Sequence, residues 1–191
     1  MDVDGARYHT RRDLLLYCYR VASVVGLMMC HVMGVRDPKA LLNAAHLGAA
    51  MQLTNICRDV LEDWGRGRFY LPEDEMRERL GDFGPPTTPS DSFPAHASAA
   101  VSGLVEQTLS WADRFYRSGD RGVISLSWRS ALAIISARKI YADIGRVIRA
   151  RGCDVSAGRA FTTKGRKLVL VASSIGRLLL SIPRRCVLSL S

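Results

Sequence analysis

The 191 residues, 48% hydrophobic and 24% charged, are the ordinary make-up of one globular domain with enough chain for a sizeable core. The net charge of +9 is unevenly placed: Arg138 to Ser191 holds 12 Lys/Arg against 2 Asp/Glu, so Met1 to Ala137 carries about −1. That basic third suits an anionic substrate or an anionic membrane surface. Nucleic acid is set aside as a partner, since no recognised module is present and aromatics do not interleave with the charges.

The N-terminal MDVDGARYHTRRD mixes acids and bases and shows no secretory leader. Thr10–Val35 is predicted as a helix, with Tyr17, Val21, Val25 and Met29 recurring every four residues and Gly34 at its end. Asp37-Pro38 opens a long second helix, Asp37–Trp64, with Asp as cap and Pro in the first turn. Its small residues Ala44, Ala45, Gly48, Ala49 and Ala50 allow close approach of another helix. Gly65 and Gly67 end it, and Pro72-Glu73-Asp74-Glu75 starts a short helix whose acids suit the dipole. Gly81–Pro94, with four prolines, reads as a connecting loop within a single domain spanning 1–191. Ala95–Ser118 and Ala131–Arg149 are further helices. Gly152–Lys167 is a loop, and a last helix ends near Ile182-Pro183, leaving 183–191 as a tail. No β-rich run outlasts these patterns, so the fold class is all-α.

Five cysteines, Cys18, Cys30, Cys57, Cys153 and Cys186, are odd in number, form no CxxC and mostly sit in apolar helical patterns. They read as reduced, buried thiols of a cytoplasmic protein. His31 and His46 do not pair with them at zinc-ligand spacing. The nearest approach to a membrane span is Leu168–Ile182, which Arg177 interrupts. No apolar run reaches the ~20 residues that a span requires, so membrane contact is expected to be peripheral only.

Gln52, Asn55, Asp59 and Asp63 are spaced three, four and four residues apart, which places them in one stripe on one face of the second helix. Leu53, Ile56, Val60 and Leu61 fill its other faces. Two carboxylates ~6 Å apart repel by roughly 3 kcal/mol at an effective dielectric of ~20, before screening. A divalent cation between them removes that repulsion. Mg²⁺, or Mn²⁺ in its place, suits two carboxylates working with substrate phosphates. Asn55 and Gln52 add amide oxygens, and Arg58, Arg66 and Arg68 lie just off the stripe, placed for bidentate phosphate contacts. The competing reading is a solvated helix face with pairs such as Arg58–Glu62, because a lone DxxxD is a weak motif.

NICRDVLEDWGRGRFYLPEDEM resembles the second aspartate-rich motif of the squalene/phytoene synthases. YCYRVASVVGLMM, Tyr17–Met29, resembles a signature of the phytoene-forming branch of that family, and the likeness runs from about Tyr8 to about Leu170. It implies an isoprenoid-synthase-type helical bundle around a central apolar cavity. The reaction it implies is head-to-head condensation of two geranylgeranyl diphosphates to phytoene through prephytoene diphosphate, in carotenoid biosynthesis. Carried onto this sequence, the resemblance makes Asp59 and Asp63, with Asn55, the metal ligands. Tyr17 and Tyr141 join the catalytic set, Tyr141 within a pattern, Ala137…Ile140-Tyr141…Ile144-Gly145, that itself resembles the family's. Gln52, Arg58, Arg66, Arg68, Tyr70 and Arg159 contact substrate, and Val21, Val25, Met29 and Leu47 line the prenyl tunnel.

Two departures stand out. Ser127 occupies the place of a proline in the family pattern. The family's first Asp-x-x-x-Asp motif is missing, since Asp2, Asp4 and Asp13 do not form it, and the opening helices of the bundle go with it. The expectation is a fragment or truncated gene product, a short paralogue that has lost activity, or a chain whose missing half-site comes from another chain. The alternatives in function are squalene or dehydrosqualene synthesis from the C15 donor, and a catalytically silent helical paralogue. Gly26-Leu27-Met28 leans towards phytoene.

Overall fold

The computed structural model describes residues 7–35, 37–81, 83–84, 86 and 93–180. Helix α1 (Arg11–Cys18) and helix α2 (Val24–Val32) form one continuous rod, joined by a π-helical turn at Tyr19–Ser23. Thr10 starts the rod with a capping box: its side chain accepts from the Asp13 amide, and the Asp13 carboxylate accepts from the Thr10 amide at 3.0 Å.

Helix α3 (Pro38–Gly65) is the axis of the molecule, and it begins as expected, with Pro38 in the first turn and the Asp37 carboxylate accepting from the Lys39 amide at 2.9 Å. Leu53, Ile56, Cys57 and Val60 of α3 share the main core with Val101, Leu104, Val105 and Leu109 of α5 (Ser98–Gly122). The rod α1–α2 crosses α3 very closely. A Cβ at Gly48 would stand 2.5 Å from the Ala22 carbonyl oxygen, and one at Gly26 would stand 2.8 Å from that of Ala44. Only glycine permits these two contacts.

Helix α4 (Glu73–Leu80) lies beside α5 and ties down the N-terminal segment. The Glu73 carboxylate, 1% exposed, meets Arg7 at 2.7 Å, His9 at 3.2 Å and Arg77 at 3.5 Å. Helix α6 (Trp128–Ala150) packs on α3 and α5, and α7 (Lys164–Leu180) packs on α6. Among the described residues there is no strand, and the protein is an all-α bundle.

Three boundaries differ from expectation. Helix α5 runs on to Gly122, because Gly119 and Gly122 leave room for the Leu47 and Asn43 side chains instead of stopping the helix. Helix α6 starts at Trp128: Ser127, which stands where the family pattern has proline, caps it by accepting from the Ser130 amide at 3.3 Å. Helix α7 starts at Lys164, inside the expected loop. Most of Gly81–Pro94, the end of the last helix, the tail 183–191 and Cys186 lie outside the described residues. Cys18, Cys30, Cys57 and Cys153 are free and buried, as expected.

The expectation about membrane spans needs correction. The rod Arg11–Val32, 22 residues at mean hydropathy 1.5, is long and apolar enough to cross a membrane by length and composition. A search for an unbroken apolar run misses it because Arg20 and Ser23 interrupt the sequence. In this fold the rod packs against α3 and gives a cavity one of its walls.

Candidate active site

A cavity of about 340 Å³ opens between the α1–α2 rod, α3, α5 and α6. Val21, Val25, Met29 and Leu47 line it, as the sequence led one to expect. Val25 and Met29 remain exposed, so this wall faces solvent as well as the cavity. Met33, Val35 and Leu126 close the apolar end, and Gln52, Asn55 and Tyr141 form the polar end. Tyr17 does not reach the cavity lining. It is buried in an aromatic stack, 5.0 Å from Tyr8 and 5.2 Å from Tyr70 between ring centres.

The polar stripe of α3 leads outward from this mouth. Asn55 Nδ2 donates to Gln52 Oε1 at 3.5 Å, while the buried Asn55 Oδ1 accepts no hydrogen bond. One turn on, Asp59 is held between two guanidinium groups: Arg58 Nε donates at 2.8 Å, and Arg159 Nε lies 3.0 Å away. Arg58 therefore pairs with its neighbour Asp59. Arg66, and not the Arg58 of the competing solvated-face reading, pairs with Glu62 at 2.7 Å, with Arg159 Nη1 3.6 Å from the other Glu62 oxygen. Asp63 lies next along the ridge, in a crevice with Arg68 and Tyr70. Burial pushes its carboxyl up to about 6, and the Asp59 charge adds to the shift against the pull of Arg66 and Arg68. All four expected phosphate-binding arginines thus surround the acids Asp59, Glu62 and Asp63.

Arg159 reaches the ridge from the segment between α6 and α7. Ala160 and Thr162 are buried, and Thr162 Oγ1 donates to the Ile140 carbonyl at 3.4 Å. Asp143, missed in the sequence, fixes the end of this segment by accepting from Arg146 at 2.7 Å and Arg166 at 3.2 Å. Burial raises the Asp143 carboxyl, but those two arginines outweigh it and hold the net value below the usual range. Glu62 was also unforeseen as a site residue. Its only sequence signal was its place one residue from Asp63.

The donor set fits a hard divalent cation. The buried Asn55 Oδ1 without a donor and the Asp63 carboxyl, raised first by its burial, are oxygen donors that a cation would satisfy. Among the described residues no three His, Cys, Asp or Glu side chains gather around one point. The chain therefore offers two carboxylates and an amide, leaving the remaining ligand positions to water and substrate oxygens.

The described residues thus form an all-α bundle with an apolar cavity, a ridge of acids and amides at its mouth and four arginines around that ridge. The chain belongs to the squalene/phytoene synthase family, whose model matches residues 1–166. It is 41% identical over 179 residues to the phytoene synthase of Pseudescherichia vulneris, covering 94% of this chain and 56% of that one. It is 44% identical over 173 residues to the phytoene synthase of Rhodobacter capsulatus, covering 91% and 50%. A ligand-bound dehydrosqualene synthase structure superposes with a TM-score of 0.76 at 29% identity, covering 93% of this chain and 61% of that one. The chain spans about half the length of the curated relatives it matches.

Proposed function

We propose that these residues form the second half-site of a phytoene-forming prenyltransferase, joining two geranylgeranyl diphosphates head to head. The observation that carries this reading is the continuity from the apolar cavity through Gln52 and Asn55 to the acids Asp59 and Asp63. Asp59, Asp63 and Asn55 would hold Mg²⁺, which when bound supplies the electrostatic pull on a departing diphosphate. Arg58, Arg66, Arg68 and Arg159 take up the diphosphate oxygens. The C1–O bond of one donor breaks and its electron pair leaves with the diphosphate. The double bond of the second donor attacks the resulting allylic cation, and loss of a proton closes the cyclopropane of prephytoene diphosphate. A second ionisation and rearrangement yields phytoene.

The chain's own residues serve these steps through position. Val21, Val25, Met29 and Leu47 offer the tail an apolar wall, each buried CH₂ of the tail contributing about 0.8 kcal/mol to binding. Tyr141, at the polar end of the cavity, orients the substrate head. Tyr17 supports Tyr70 through their ring stack and so acts at one remove from substrate.

The test is phytoene formation from geranylgeranyl diphosphate and Mg²⁺, by this chain alone and co-expressed with the part of the Rhodobacter capsulatus relative that it does not match. Asp59→Asn is expected to lower the rate by about 10²-fold or more. Product from the C15 donor only would move the assignment to squalene or dehydrosqualene synthesis, a reading favoured by the dehydrosqualene synthase likeness. Absence of both product and Mg²⁺-dependent pyrophosphate binding would leave the silent paralogue.

A further inference from the structure

The acid that answers the start of α7 comes from another helix. Lys164, Arg166 and Lys167 crowd the first turns of α7, which hold no acid, although a helix dipole favours acids at that end. Thr163 caps the helix, its hydroxyl accepting from the Arg166 amide at 3.3 Å. The Arg166 side chain then turns back to α6, where its Nε donates to Asp143 Oδ1 at 3.2 Å. Asp143 is buried, its side chain 3% exposed. Arg146 and Arg166 both donate to Oδ1, and the buried Oδ2 accepts no hydrogen bond. An unsatisfied buried acceptor costs stability, so stability alone gives no reason for a carboxylate at this position.

What the carboxylate holds is one end of a short strap. Between the turn Val155–Ala157 and α7, residues 158–163 run without helix. Buried and exposed side chains alternate there: Ala160 and Thr162 turn into the bundle, Arg159 and Phe161 turn out. At the near end, Arg151 Nη1 donates to the carbonyls of Ala157 and Gly158 at 3.4 and 3.3 Å, and Gly158 takes a φ of 76°. At the far end stand the Thr162 bond to the Ile140 carbonyl, long at 3.4 Å, and the Arg166–Asp143 pair. Arg159 lies between these anchors, its Nε 3.0 Å from Asp59 and its Nη1 3.6 Å from Glu62. Its side chain is 57% exposed, so packing does little to fix where the guanidinium stands.

We propose that Asp143 is a positioning residue for Arg159: by holding Arg166 it sets where the strap presents the Arg159 guanidinium to the Asp59–Glu62 ridge, and so how tightly the site takes a diphosphate group. The inference rests on the reading of Arg159 as a diphosphate contact. Arg146 pairs with the same carboxylate but belongs to α6 itself, so its loss leaves the strap in place. An arginine delivered at the wrong height keeps its charge but loses the directed N–H bonds that a guanidinium makes to phosphate oxygens.

The experiment is titration calorimetry of the full chain with inorganic pyrophosphate in the presence of Mg²⁺. Arg159→Ala is expected to weaken binding by about 10-fold or more. Arg166→Met and Asp143→Asn should each weaken it by about 5-fold or more, and Arg146→Met should stay within about twofold of the wild type. In the Arg159→Ala background Asp143→Asn should have no further effect, a result that a merely structural role would not give. Hydrogen exchange should show the amides of 158–163 opening faster in Arg166→Met, with protection in α3 unchanged. The Arg166 side chain is 44% exposed, so this variant carries the test if Asp143→Asn does not fold. Wild-type affinity in Arg166→Met, with Arg159→Ala weakened, would overturn the positioning role and leave the site reading standing. Equal weakening in Arg166→Met and Arg146→Met would overturn it as a loss of charge only. Absence of binding by the wild type, or wild-type affinity in Arg159→Ala, would remove the site reading and this inference with it.

Discussion

Asp63→Asn should stabilise this protein while damaging its site. In the folded chain the Asp63 carboxyl is pushed up to about 6 from 3.8, first by burial and then by Asp59. An acid whose folded value is raised costs nothing below its unfolded value, costs progressively more as pH rises from 3.8 to about 6, and stays at a constant deficit above. At 1.36 kcal/mol per unit the ceiling is about 3 kcal/mol. Solvent screening of the partly exposed group reduces that to about 1–1.5 kcal/mol. Asparagine never ionises, so thermal unfolding at pH 8 without metal should rise by about 2–6 °C, at 2–4 °C per kcal/mol for a chain of this size. The gain should shrink below pH 6 and be largely gone near pH 4. Titration with Mg²⁺ should raise the wild-type midpoint and leave that of the variant nearly unmoved. A gain that is independent of pH, a loss at pH 8, or an unchanged Mg²⁺ response would refute the reasoning.

Gly48→Ala places a Cβ 2.5 Å from the Ala22 carbonyl oxygen, so it should cost about 1–3 kcal/mol in urea unfolding; wild-type stability would show that the rod can shift away. Glu73→Gln removes the charge that gathers Arg7, His9 and Arg77, and should cost about 2 kcal/mol, with faster proteolysis ahead of α1. Unchanged cleavage would mean that the backbone bonds from Glu73 and Asp74 to Tyr8 and His9 hold that segment unaided. Burial pushes the Cys18 thiol up to about 12 and Cys57 well above its ordinary value. In Cys186→Ser, a thiol reagent at pH 8 should therefore modify these two only on unfolding, and rapid stoichiometric labelling of the native protein would contradict their burial.

The helices were legible because their signals are local. Asp37-Pro38 and Gly65–Gly67 bracket α3, and cap and glycine act there as their chemistry requires. The π turn at Tyr19–Ser23 left a trace as well. Four residues of α-helix advance about 400°, so the strict four-residue repeat of Tyr17, Val21, Val25 and Met29 drifts about 40° per step unless the winding changes. That winding does change at Tyr19–Ser23, and the repeat was read as a plain helix. Tyr17 then turns into the aromatic stack while Val21, Val25 and Met29 stay on the cavity. The close crossings at Gly26 and Gly48 were foreseeable only as small residues, since their partners lie on another helix.

The ridge of acids was legible for the same local reason, whereas its counter-ions were not. Spacing puts Asn55, Asp59 and Asp63 on one face whatever the rest of the chain does. Which cation answers which acid depends on where residues a hundred positions away are delivered. Arg159 arrives through a segment pinned by Thr162 and Asp143, and Arg58 turns along its own helix instead of reaching Glu62. The orientation of α7 is hidden for a related reason. A helical pattern has the same period whichever face looks inward, and only the tertiary contacts show that Ser174 and Leu178 turn to the bundle while Leu168, Val169 and Ile175 stay exposed.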